Sequence, residues 1–210
     1  MPSSSKHRLQ LSSARQLELR NVDAKFVTYR GRRAIRLLES DQSEADVQPI
    51  AGLPGFEFRD GVIETAVAGL PRSGAPEFAR GFVGIAFRVQ PDASQFEAFF
   101  LRPTNSRSDD QLRRNHSVQY MSHPDYPWFR LRDESPGVYE SYVDLLPAAW
   151  TPLRIVVSGV KAALYVNRSP QPCLIINDLK LGHNRGQIAL WIGGGTEAYF
   201  SPRLVIHRAA

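Results

Sequence analysis

Cys173 is the only cysteine in 210 residues, so the chain can form no internal disulfide. A chain this long buries roughly 70% of its unfolded surface and needs no such staple. The composition fits a reducing compartment. No stretch approaches the ~20 consecutive apolar residues of a membrane span. The N-terminal MPSSSKHRLQLSSARQLEL has no apolar run of the kind a signal peptide needs. A cytoplasmic protein with no membrane partner is the resulting expectation. Helical i, i+3, i+4 patterning is almost missing, and only residues 109–114 read as one helical turn. There is no Gly-x-Ser-x-Gly elbow for a serine nucleophile, no calcium loop and no zinc spacing. The Gly-Gly-Gly at 193–195 follows a strand-like run without opening a helix, so it reads as a turn rather than a phosphate cradle.

Basic residues exceed acidic ones, giving a formal charge of +5 and a pI of about 9.6. That favours anions mildly. Nucleic-acid binding needs basic residues gathered on one face. Here arginines alternate with apolar residues, as in Arg130-Leu131-Arg132, the pattern of a strand's solvated face. Nucleic acid therefore ranks below other partners.

Short runs rich in β-branched and aromatic residues recur along the chain, punctuated by Gly, Pro, Asn and Asp. Residues 24–29 and 34–39 flank Gly31 as a hairpin, and 40–55 read as loop. Strands are expected at 62–68, 82–89, 95–102, 116–122, 139–145, 151–158, 161–167, 174–177, 187–192 and 199–206. About a dozen antiparallel strands with regular turns predict an all-β sandwich. Residues 1–15 read as a frayed tail and 16–210 as a single domain.

The C-terminal segments WTPLRIVVSGVKAALYVNRSPQPCLIINDL and GQIALWIGGGTEAYFSPRLVI, with DGVIETAVAG and GFVGIAFRV before them, resemble the concanavalin A-like lectin/glucanase superfamily. More narrowly, the chain resembles bacterial laminin G-like domains and the 3-keto-disaccharide hydrolase-like domain of unknown function. The resemblance implies a jelly roll of two antiparallel sheets, with carbohydrate bound on a concave face or at the loop edge. The superfamily's retaining glucanases carry Glu-x-Asp-x-x-Glu on one strand, a string this sequence lacks.

Several residues could carry chemistry. Glu64 and Glu97 sit mid-strand among apolar neighbours, where a carboxylate is costly unless paired. They are either an acid/base pair facing a groove, with His116 as a further base, or partners of arginines such as Arg88 and Arg102. His116, His123 and Asp125 are candidate ligands for a divalent metal, although no motif calls for a cofactor. Tyr126, Trp128 and Phe129 could stack on sugar rings, or plug the long loop onto the sandwich. Arg102, Asn105, Asn115, Gln119 and Asp125 would then orient hydroxyls or an acidic sugar group. Trp150 and Trp191 read as core. A third reading makes Arg107, Arg113 and Arg114 a docking surface for an acidic partner, ranked second to Asp109, Asp110, Arg113 and Arg114 bracing the loop from within. The leading expectation is a carbohydrate-binding, lectin-like domain. A glycoside hydrolase is the second.

Overall fold

The computed structural model describes residues 5–42, 44 and 47–208. Among them are sixteen strands: β1 Ser5–Gln10, β2 Glu18–Arg20, β3 Val22–Tyr29, β4 Arg32–Glu39, β5 Ile50–Phe58, β6 Gly61–Pro71, β7 Val83–Val89, β8 Phe96–Leu101, β9 Val118–His123, β10 Glu140–Ser141, β11 Thr151–Ser158, β12 Lys161–Val166, β13 Leu174–Ile176, β14 Gly186–Ile192, β15 Thr196–Phe200 and β16 Arg203–Arg208. Two short helices, α1 Gln111–Asn115 and α2 Trp128–Glu134, interrupt the long segment around β9.

The strands form two antiparallel sheets. A seven-stranded sheet runs β10-β9-β8-β7-β14-β5-β2. A nine-stranded sheet runs β13-β12-β11-β6-β15-β4-β3, with β16 and β1 added beside β6. The long β6 makes this possible: residues 67–71 pair with β15 and residues 61–64 with β16 on the same edge. Pro202, which has no N–H to give a ladder, separates the two short strands.

Alternation sets the layers. Leu153, Ile155 and Val157 of β11 point into the space between the sheets, while Pro152 and Arg154 face outward. The β3–β4 hairpin closes through Arg30 and Gly31, both with positive φ (45° and 73°), as a two-residue type I′ turn requires. In β7 and β8 every residue is buried, so the centre of the seven-stranded sheet is covered on both faces.

Four expectations change. Residues 5–10, read as tail, form β1 against β16, while residues 1–4 lie outside the described ones. Residues 50–53, read as loop, pair with β14 because Ile50, Ala51 and Leu53 are buried there; Pro54 and Gly55 fall in the register shift that follows. Arg130-Leu131-Arg132, read as strand, lies in α2, where Leu131 is buried and Arg130 pairs with Glu134 one turn on. Of 139–145, only Glu140–Ser141 is strand.

One end of the sandwich is closed by Arg88, fully buried and left-handed (φ 56°) where β7 and β14 shift register. Its guanidinium donates to the carbonyls of Arg59, Gly159 and Gly182, and pairs with Asp60 and with Glu97 at 3.3 Å. Glu97 also accepts from Tyr120 Oη and Leu181 N, both at 2.9 Å. Replacing Glu97 with alanine leaves Arg88 buried without its main countercharge, and should cost about 3–5 kcal/mol in urea melts. The double replacement R88M/E97L should recover most of that loss. A single variant as stable as wild type would contradict this role.

Candidate functional site

The outer face of the seven-stranded sheet is built in rows. One row crosses it as Ile50, Trp191, Gly84, Phe100, Gln119 and Glu140, each opposite the next across neighbouring strands. Gly84 is required at its centre: a Cβ there would lie 2.2 Å from the Phe99 carbonyl oxygen and 2.7 Å from Phe100 Cβ. Across this gap the rings of Phe100 and Trp191 meet at 4.9 Å. The next row is Gly52, Ala189, Ala86, Ala98 and Met121, a low floor beside the aromatic ridge.

Helix α2 forms a wall over this face. Gln119 Nε2 donates to the Trp128 carbonyl at 3.1 Å, tying the helix start to β9. The Arg102 and Arg132 guanidiniums lie 4.8 and 4.9 Å from the Trp128 ring centre. Arg102 also approaches the rings of Phe82 and Phe100, and burial lowers its pKa to about 9, still protonated at neutral pH. Glu140, nearly buried, accepts from Arg132 at 2.7 Å and lies 2.8 Å from His116 Nδ1. This cluster holds Trp128 in place at the rim, where the residue is 38% exposed.

Trp128 and Phe129 stand on one side of an open groove of about 630 Å3, with Phe78 also lining it. Phe82, Phe100, Met121 and Trp191 give it an apolar base, and Asn21, Glu39, Gln48 and His123 contribute polar groups. The segment after β4 is stapled along the groove. Asn21 Nδ2 donates to the Val47 carbonyl at 2.8 Å, Gly195 N to Glu39 at 3.3 Å, and Trp191 Nε1 to Gln48 at 3.3 Å.

Of the residues singled out from sequence, Trp128, Phe129 and His123 line this groove. The others do not. Arg102 is buried beneath the rings, and Gln119 is buried as a tether for α2. Asn105 donates to the His116 carbonyl, and Asn115 is exposed on α1, where Gln111 bonds it. Tyr126 lies under Arg130 and Lys180, and Asp125 is exposed, with its carbonyl accepting from Arg130. His116, His123 and Asp125 are not gathered into a metal site, and no cluster of three or more such ligands occurs among the described residues.

Glu64 and Glu97 are not a catalytic pair. Glu97 is buried between the sheets against Arg88, whereas Glu64 lies on the outer face of the other sheet, cross-strand from Arg154. Retaining cleavage wants two carboxyls ~5 Å apart in one open groove. The arginine-rich segment is braced internally: Arg107 forms a two-pronged pair with Asp144, Asp110 caps α1, and Arg114 lies over the Tyr142 ring. Trp191, read as core, is buried but forms part of the groove base. The signal for that second face is in β8 itself: FEAFFL places Phe96, Ala98 and Phe100 opposite Phe99 and Leu101, too apolar on both sides for one face to be solvated.

No protein-family model matches the chain, and no curated protein matches it in sequence. Solved structures do match in fold. A Bacillus subtilis protein of unknown function with a galectin-like fold is similar at a TM-score of 0.61 and 11% identity, over 100% of both chains. Peanut lectin matches at 0.57 and 8% identity, over 98% of this chain and 97% of its own. The carbohydrate-binding module CBM66 from Bacillus subtilis matches at 0.54 and 12% identity, over 87% and 93%. The fold is the concanavalin A-like lectin sandwich.

Burial lowers the pKa of His116 and His123 below the ordinary 6.5; Glu140 opposes the shift at His116 and Asp125 at His123. Each therefore takes up a proton more readily when unfolded. The stability they contribute is fully present above pH 6.5 and is lost as pH falls through the lower folded values. Thermal melts between about pH 7 and about pH 5 should show a falling Tm in wild type and a shallower fall in H116Q/H123Q. An identical pH slope in the two proteins would assign the loss to other groups.

Proposed function

We propose that this protein binds carbohydrate as a lectin-like domain, with the sugar seated in the groove over the seven-stranded sheet. The observation that carries the reading is the fixed, partly exposed Trp128 ring standing at a groove whose other wall offers Glu39, Asn21 and Gln48. A sugar ring presents C–H faces that pack on an aromatic plane, and equatorial hydroxyls that need planar acceptors and donors. Trp128 is held before any ligand arrives, so little side-chain entropy remains to be lost on binding. The similar solved structures include a carbohydrate-binding module and a lectin, which supports the same class of ligand.

The groove favours neutral sugars. Among the described residues its charged lining groups are the carboxylates Glu39 and Glu44, and no lysine or arginine lines it. Arg102, expected to meet an acidic group, is covered by the Trp128, Phe82 and Phe100 rings.

A shallow site of this kind binds in the range of about 1 µM to 1 mM. On an array of neutral oligosaccharides, wild type should retain at least one class, and Trp128→Ala should weaken it about tenfold or more at an unchanged Tm. Silence of wild type on the array, or full retention by the variant, would remove the basis for this reading.

A further inference from the structure

On the far side of the molecule, the outer face of the nine-stranded sheet carries charge largely of one sign. The row Tyr165, Arg154, Glu64, Val205 and Arg8 crosses it through β12, β11, β6, β16 and β1. Two grooves of about 600 and 580 Å3 lie side by side there and share Arg32, Ala66, Ser201 and Arg203. Arg154 and Arg168 line the first and Arg33 the second. Against these five arginines the described lining presents one carboxylate, Glu64.

None of the five forms an ion pair among the described residues. Elsewhere Arg36, Arg88, Arg107, Arg130, Arg132 and Arg185 each have a carboxylate partner. Two of the unpaired arginines are nevertheless held in position. The Arg154 guanidinium carbon lies 3.8 Å from the Tyr165 ring centre, and Arg203 Nε donates to Gln10 Oε1 at 3.0 Å. Stacking uses the face of a guanidinium and leaves its in-plane N–H donors for an oxyanion, and carboxylates match that fork geometry.

The aromatic groups on this face select among polyanions. Single-stranded nucleic acid binds through bases stacked on free aromatic rings as well as through its phosphates. Here the Tyr165 ring is taken by Arg154, and Trp150 packs edge-on to Tyr29 at 5.8 Å, its Nε1 donating to the Tyr29 carbonyl. Among the described residues no α-helix projects from this face to enter a duplex groove. The grooves offer instead hydroxyl groups from Thr65, Ser169, Ser201 and Ser12 beside the guanidiniums.

We propose that this face is a second binding site, for an acidic polysaccharide whose uronate carboxylates pair with Arg32, Arg154, Arg168 and Arg203. It is separate from the groove under Trp128, so the two sites can succeed or fail independently. The test is retention of the full chain on immobilised oligogalacturonate, and its affinity for the free oligomer, at low and raised salt. Wild type should bind at low salt and weaken as salt screens the pairs. R32E/R168E, which reverses two exposed arginines without ion partners, should lose about tenfold or more in affinity. R154Q/R203Q should lose binding in the same direction, and Trp128→Ala should bind as wild type does. A single-stranded oligonucleotide of equal charge should bind at least about tenfold more weakly than the uronate. The proposal is overturned if either double variant, folded by its melting curve, binds uronate as well as wild type. It is equally overturned if Trp128→Ala abolishes uronate binding, or if the oligonucleotide binds as tightly as the uronate.

Discussion

The buried pair of Arg88 and Glu97 is the constraint on which the rest of the sandwich depends. A guanidinium with no exposure is tolerable only if its charge and its donors are all met. Arg88 meets that condition by gathering carbonyls from three separate turns, at Arg59, Gly159 and Gly182, with two carboxylates. Glu97 extends the network to Tyr120 and to the backbone at Leu181, and Tyr120 Oη accepts in turn from Lys180 N. Burial pushes the Glu97 carboxyl up while those donors and Arg88 hold it down. Both sheets are thereby pinned at one end, and the β7–β14 register shift, where Arg88 adopts its left-handed backbone, is fixed at the same point.

That pinning gives the seven-stranded sheet the character of a rigid floor. Because β7 and β8 are buried on both sides, the sheet's outer face can carry a ridge of large rings without exposing them fully. Gly84 lets the ridge close up, and the alanine row beside it leaves depth for a groove. The wall is then a matter of charge. Glu140 neutralises the neighbourhood of Arg102, Arg132 and His116, and the guanidiniums hold the Trp128 indole. Arg102, expected to meet ligand, is instead part of the frame that holds the Trp128 indole.

The two sheets consequently present opposite surfaces. One is aromatic and weakly acidic, with its cations tucked beneath the rings; the other is basic, its groove-lining arginines without ion pairs among the described residues. The overall excess of basic residues is thus not spread evenly. Its location follows from which strand faces carry few carboxylates, a property of pairing rather than of composition.

The sequence by itself determined the strands whose alternation is local. Thr151–Ser158 was legible to the residue, because Leu153, Ile155 and Val157 alternate with Arg154 and Val156, and the β3–β4 hairpin was legible from Gly31. The all-β sandwich followed from such segments, as did the alternative that Glu97 belongs to Arg88. Tertiary structure decided what alternation cannot encode. Whether Trp191 is interior or groove base depends on which rows of other strands lie beside it, and those rows come from residues 50, 84, 100 and 119. Whether Arg130-Leu131-Arg132 is strand or helix turned on Trp128, Leu131 and Arg132 sharing one helical side against β9. Glu39, Asn21 and Gln48 gave no local signal at all, since they come to share a groove with Trp128 only after chain segments some 80 to 107 residues apart are folded together. A two-residue period records which way a side chain points, but only the long-range register of the strands determines what it points at.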